Sequence, residues 1–192
     1  MVDLDEYRQA SLDSWDAMAP GWKKRHDWLN ENTGLVNEWI VAKADPQPGQ
    51  TWLDIAGGPG DLALGLADRV GDGGHVIYTD FAPEMVEVAR GYGKARGASN
   101  IDFRVLDAER MDLEDDSVDG VGCRYGYMLM ADPAAALRET RRVLRDGGRL
   151  SFAVWSTPDR NPWAAILENV ASFRNDDGSY TTPASSWGVL TR

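Results

Sequence analysis

The sequence predicts an α/β fold, with helices on both faces of a mostly parallel, doubly wound sheet. Two observations carry this. From residue 51 onward, short apolar runs alternate with amphipathic stretches. The first three runs each end in an aspartate: Asp54, Asp80 and Asp107 stand 26 and 27 residues apart, one strand–helix unit each. The length of 192 residues and 43% apolar content suit one domain with a proper core.

The elements follow in order. Residues 3–43 read as helical. Leu4, Tyr7, Leu12, Trp15 and Met18 recur at mostly three- or four-residue spacing, and Pro20-Gly21 predicts a break. A second helical stretch carries Trp22, Trp28, Leu35, Trp39, Ile40 and Val41, with Gly34 a point of division. Residues 45–50 are a turn rich in Pro and Gly. TWLDIA (51–56) is a buried strand, and Asp61 to Val70 a helix. HVIYTD (75–80) is a strand, and Pro83 opens a helix through Arg96. IDFRVLD (101–107) is a strand, 108–117 an acidic loop, and VDGVGCRY (118–125) a strand. Pro133 opens a helix through Leu144, Asp146-Gly-Gly148 ends it, and RLSFAVW (149–155) is a fifth strand. Asn161 to about Phe173 reads as helical. Asn175 to Trp187 is polar, with no strand pair. Parallel strands joined this way need right-handed crossovers.

Charge narrows the function. With 31 acidic against 20 basic residues the net charge is -11, which opposes unaided binding to nucleic acid or to an anionic membrane surface. One Cys excludes a disulfide framework and a cysteine-based zinc site, and no metal site is expected. No apolar run approaches the roughly 20 residues of a membrane span. The N-terminal residues hold no signal-peptide core, so a cytoplasmic setting is expected.

In a parallel sheet the carboxyl ends of all strands share one edge, where ligands bind. Asp54, Asp80 and Asp107 therefore line one rim. Each alone has an everyday reading as a strand or helix cap; three in register beside a glycine loop do not. The loop is Asp54-Ile-Ala-Gly-Gly-Pro-Gly-Asp61. Its glycines permit a tight turn and close approach of a ligand, and the next helix offers free N–H groups. Gly58-x-Gly60-x-x-Ala63 also fits a dinucleotide fingerprint, with Asp80 placed for a ribose. That reading, an NAD(P)-dependent oxidoreductase, has no need of an acid at Asp54 or of Asp107-Ala108.

On four stretches the chain resembles the class I S-adenosylmethionine-dependent methyltransferases, in the branch holding the ubiquinone and menaquinone enzymes. They are Leu53–Gly60, Tyr78–Met85, Phe103–Glu109 with Asp116–Asp119, and Arg142–Arg149. Ala56 stands where that class has its first glycine. The resemblance implies a Rossmann-like sheet of strand order 3-2-1-4-5, with residues 1–45 as an N-terminal helical lid, 46–174 as cofactor-binding core and 175–192 as a polar tail. It implies S-adenosylmethionine as cofactor and a small-molecule methyl acceptor.

The resemblance also implies roles. Ala56, Gly57, Gly58 and Gly60 form the loop under the methionine part, and Asp54 favours its ammonium. Asp80 accepts from two ribose hydroxyls, as one carboxylate can. Phe81 and Met85 flank the adenine; Asp107, Ala108 and Glu109 form the adenine motif. Trp15 and Trp22, around Asp16–Gly21, match an aromatic signature that covers the cofactor. Tyr125 and Tyr127 follow the fourth strand, where a π-face or hydroxyl meets the sulfonium; core packing is their alternative. Arg124 holds the methionine carboxylate or an acidic acceptor, or pairs with an acid of 107–119. His26 is a candidate base within the lid; His75 opens a strand at the far end. Cys123 is read as a small buried hydrophobe. Arg138, Arg141, Arg142, Arg145 and Arg149 read as a solvated face.

Methyl transfer needs an aligned nucleophile, carbon and sulfur, and exclusion of water; a base is needed only if the acceptor must lose a proton. An incomplete, inactive member of the fold is the third reading. Only 37 residues follow Trp155, fewer than the class usually carries there. An open fifth strand is then expected to promote self-association.

Overall fold

A computed structural model describes residues 3–157 and 160. The elements are α1 (Leu4–Lys24), α2 (His26–Ala44), β1 (Thr51–Ile55), α3 (Asp61–Val70), β2 (His75–Asp80), α4 (Pro83–Arg96), β3 (Ile101–Val105), β4 (Val118–Arg124), α5 (Pro133–Val143) and β5 (Leu144–Ala153). A short 3-10 turn, Tyr127–Leu129, follows β4. The five strands lie in the order β3-β2-β1-β4-β5 and every pairing is parallel. This is the Rossmann-like, doubly wound sheet the sequence predicts.

β1 sits at the centre, and its side chains alternate between two cores. Trp52 packs with Ile40, Val41, Leu62, Leu66, Val76 and Tyr78 on the face of α2 and α3. Leu53 and Ile55 pack with Val121, Cys123, Ala136 and Val143 on the face of α5. Burial on both faces explains why β1 and β2 read as near-continuous apolar runs. Gly120 leaves room for the indole of Trp52, its partner in register; a Cβ there would overlap the ring.

Three expectations about boundaries are corrected. α1 does not break at Pro20 but runs through it to Lys24, and the corner lies at Arg25. Proline removes one helical N–H and crowds the preceding turn. Here docking holds the helix: Ala19 is buried against Ala82 and Met85, with Leu12, Trp15 and Trp22 beside it. α2 continues through Gly34 without division. β5 begins at Leu144, not Arg149. Leu144 pairs with Val118 and Arg149 with Gly120, so the strand bulges between them, and Gly147 has φ +79° there. The helix expected at 161–173 and the tail at 175–192 lie outside the described residues.

α1 crosses the carboxyl edge of the sheet. The Asp3 side chain accepts from the N–H groups of Asp5 and Glu6 at its start. Further along, three polar groups reach separate loops. The Tyr7 hydroxyl donates to Leu129 O (3.3 Å), Arg8 donates to Glu109, and Asp16 accepts from the Glu84 N–H at the start of α4 (3.0 Å).

Candidate functional site

The loop after β1 folds back on the end of β2. The Gly57 N–H donates to Thr79 O (3.0 Å), the Gly58 N–H to Asp80 Oδ2 (3.0 Å), and the Tyr78 hydroxyl to Gly58 O (2.6 Å). Gly58 and Gly60 have φ of +55° and +92°, the left-handed region that glycine enters without strain. A Cβ on Gly57 would lie 2.7 Å from Asp54 Oδ2, so the loop presses close over that carboxylate. Ala56 takes φ +51° despite its methyl group.

Asp54 is fully buried, and neither oxygen has a hydrogen-bond partner among the described residues. Burial drives its carboxyl well above the ordinary range; Arg124 and the nearby Ala63 N–H, which falls short of a well-formed hydrogen bond, oppose this, and Asp80 and Asp61 add to it. Such an orphaned group carries an energetic penalty that a ligand can relieve. Asp80 is nearly buried and accepts from Gly58 and, through Oδ1, from the Ala82 N–H (3.0 Å). Burial lifts it to about 6, opposed by the N–H groups of Ala82, Gly58 and Phe81.

Under α1 lies a cavity of about 310 Å³ lined by Arg8, Leu12, Phe81, Leu106 and Asp107, among others. Phe81, expected to flank an adenine, and Asp107, expected to accept from its amino group, therefore meet in one space. Asp107 stands two residues beyond the end of β3, where its Oδ1 accepts the Glu109 N–H (2.8 Å). Ala108 is buried beside it. Met85 is buried in the cluster that docks α1, with Trp15 and Trp22 against it and their rings 6.0 Å apart. These three pack α1 onto α4 and do not line the cavity.

Three further candidate residues have partners within the chain. Both oxygens of Glu109 are occupied: Oε2 accepts from Arg8 Nε (2.9 Å) and Nη2, and Oε1 from the Asp132 N–H (3.0 Å). It ties α1 to the loop before α5 at the sheet edge. Tyr127 is buried with its hydroxyl on Thr140 Oγ1 (2.7 Å), and burial raises its phenol further from ionisation, which fits its core-packing alternative. Arg124 pairs with none of the acids of 107–119; its Nη1 donates to Thr33 Oγ1 on α2 (2.6 Å).

His26 does come to the site. Its Nε2 lies 2.8 Å from Asp61 Oδ1, at the start of α3, and its ring stacks on Tyr92 at 3.9 Å. The Tyr92 hydroxyl donates to Lys23 O (3.0 Å), so the corner between α1 and α2 is joined to both α3 and α4. With Nε2 on Asp61 and Nδ1 3.6 Å from exposed Asp27, the ring links this corner to α3. Tyr125 stacks face to face on Trp155 (4.5 Å, 5°). Cys123 is buried with its thiol pushed up to about 12, which fits the inert reading.

Sequence reasoning missed Arg8, Asp16 and Thr33, whose partners lie 101, 68 and 91 residues away. Asp61 carried a signal, its place directly after the glycine loop.

A glycine turn, a buried acid behind it and an acid at the end of the next strand define a nucleoside-type cofactor site on a Rossmann-like methyltransferase fold. Residues 31–169 match the ubiE/COQ5 methyltransferase family, and the chain belongs to it. It is 35% identical over 160 residues to the ubiquinone/menaquinone biosynthesis C-methyltransferase UbiE of Hahella chejuensis, covering 78% of this chain and 62% of that protein. It is 38% identical over 154 residues to the Acidiphilium cryptum protein of the same name, covering 77% and 59%. A chain from the complex of the Haloferax volcanii Trm112 methyltransferase activator with a methyltransferase is 30% identical, with a TM-score of 0.64 over 73% of this chain and 59% of that one. The chain thus spans about three-fifths of the curated relatives it matches. Family membership sets aside the nicotinamide parse Gly58-x-Gly60-x-x-Ala63. No helix among the described residues is long and apolar enough to cross a membrane.

Proposed function

We propose that this chain binds S-adenosylmethionine and transfers its methyl group to a small-molecule acceptor. The observation that carries the reading is Asp54, buried behind the glycine loop with both oxygens unpartnered. A buried acceptor without a donor fits a ligand ammonium, direct or through water. The bound cofactor supplies a methyl group already activated on a sulfonium. This chain's residues then bind, orient and exclude water. Asp80 holds the ribose hydroxyls, Phe81 and Asp107 take the adenine in the cavity under α1, with the Ala108 N–H on a ring nitrogen, and Gly58 and Gly60 let the methionine part lie against the backbone. Trp15, Trp22 and Met85 keep the lid closed over them.

The acidic charge favours a small acceptor over nucleic acid. A lone buried free thiol suits the cytoplasm. Self-association through β5 stays within this proposal: β5 pairs only with β4 among the described residues.

Isothermal titration with S-adenosylmethionine and S-adenosylhomocysteine tests the reading, with NADH as control. Saturable binding of both adenosyl ligands and none of NADH is expected. A metabolite screen for a gain of one methyl mass follows. Binding without any transfer would favour the inactive, cofactor-binding member of the fold. No binding of either ligand would sink the proposal.

A further inference from the structure

We propose that the outer face of α2 is a self-recognition surface, on which a second copy of this chain docks its own α2 in parallel about a two-fold axis. The inner face of α2 buries Asn37, Ile40, Val41 and Ala44. The outer face leaves Trp28 51%, Leu35 76% and Trp39 51% exposed. Trp28, Leu35 and Ala42 stand seven residues apart, and Asn32 and Trp39 fill the gaps at alternating steps of four and three. That spacing is the seam of a heptad repeat, which asks for a second helix to cover it. One polar residue, Asn32, stands within the seam. Its Nδ2 donates to Trp28 O (2.7 Å), which leaves Oδ1 and a second N–H to meet an identical amide across the axis. A single asparagine in such a seam sets the register and the number of helices that pair.

Charge and area choose the occupant. Glu31 and Glu38 flank the seam on one side and Lys43 on the other. All three are exposed, and none has an ion pair among the described residues. In a parallel pair the unlike flanks meet, and Glu38 of each copy faces Lys43 of the other. In an antiparallel pair like flanks meet, glutamate against glutamate, and the charges oppose that arrangement. A second copy thus supplies both complementary charges by symmetry. The three large side chains leave about 400 Å² of apolar surface open on one helix, a patch of the size that marks an interaction surface. Two copies bury about twice that from these residues alone, and with the flanking groups reach the roughly 1,000 Å² of a specific but weak interface. His26 and Thr33 on the same helix reach Asp61 and Arg124, so pairing steadies two sites at once.

Sedimentation velocity of the full chain over about 1–100 μM tests this, and a self-dissociation constant of about 10 μM is expected for so small a seam. Leu35→Glu, which sets two acids on the axis, should leave a monomer. Glu38→Lys and Lys43→Glu should each weaken the pair by about 10-fold, since both flanks then oppose like charges. The double variant restores unlike flanks and should recover most of the wild-type affinity. A wild-type monomer at the top concentration overturns the proposal, whatever else covers the seam. A dimer that survives Leu35→Glu overturns it too, and assigns self-association to another surface such as the edge of β5. Equal loss in the double variant and in the single ones refutes the parallel pairing. All three positions are exposed, so the variants should fold, and thermal melts check this; the charge series stands by itself if Leu35→Glu does not fold.

Discussion

Ala56 and Gly126 compete for one space: a Cβ on Gly126 would lie 2.7 Å from the Ala56 Cβ and 2.7 Å from Cys123 Sγ. The loop after β1 and the loop after β4 therefore meet at a point that admits one methyl group. Gly126→Ala should cost about 1–3 kcal/mol through overpacking, read from denaturant melts. Adding Ala56→Gly should restore part of that, because it removes one of the two clashes and a left-handed alanine. Strict additivity of the two changes would show that the loops do not touch.

Asp54 should set stability against binding. Burial raises its folded-state pKa, so the folded form holds its proton longer than the unfolded one. Stability from this group is full below the unfolded value and is lost as pH rises through the folded value. Asp54→Asn, without ligand, should therefore melt at or above wild type near neutral pH, yet bind S-adenosylhomocysteine at least about 10-fold more weakly. A variant both unstable and fully binding would contradict this.

Asp80 gives a pH window. Its folded value is about 6 against an ordinary 3.8. Between those values the folded state holds the extra proton, so the stability contributed by Asp80 falls as pH rises. Affinity for S-adenosylhomocysteine should rise across the same interval, because the ionised carboxylate accepts from both ribose hydroxyls. Titrations from about pH 4 to 7, with Asp80→Asn as reference, check both slopes. Parallel curves for the two proteins would rule out Asp80 as the group responsible.

Arg8→Met should loosen the lid. It leaves the buried Glu109 carboxylate with only the Asp132 N–H, at a cost of about 1–3 kcal/mol. Release of S-adenosylhomocysteine, followed by the fluorescence of Trp15 and Trp22, should quicken. The double variant with Glu109→Gln should be less destabilised than the two single effects summed.

The rim of acids was legible because it depends on spacing alone: one aspartate per strand–helix unit must reach the same sheet edge. Asp80 ends its strand as read, and Asp54 stands one residue before the end of β1. β3 stops at Val105, since beyond it the chain leaves β2 to form the turn that carries Asp107. Pro20 was misleading because local propensity opposes a helix there, while docking of Ala19 and its neighbours outweighs it. The start of β5 was hidden by Asp146-Gly-Gly148, which marks a bulge inside a strand as readily as a turn before one. Tyr127 was undecidable: a single 3-10 turn chooses between the sulfonium and Thr140.

The three polar ties of α1 bear on how the chain assembles. Tyr7, Arg8 and Asp16 find their partners at Leu129, Glu109 and Glu84, separations of 122, 101 and 68 residues. α1 is synthesised long before any of them. Until α4 exists, Leu12, Trp15 and Trp22 lack Ala82 and Met85 to pack on, and contacts of such range close slowly. α1 must therefore wait, with its apolar face uncovered, for chain made much later, and a newly made chain is exposed to aggregation over that interval.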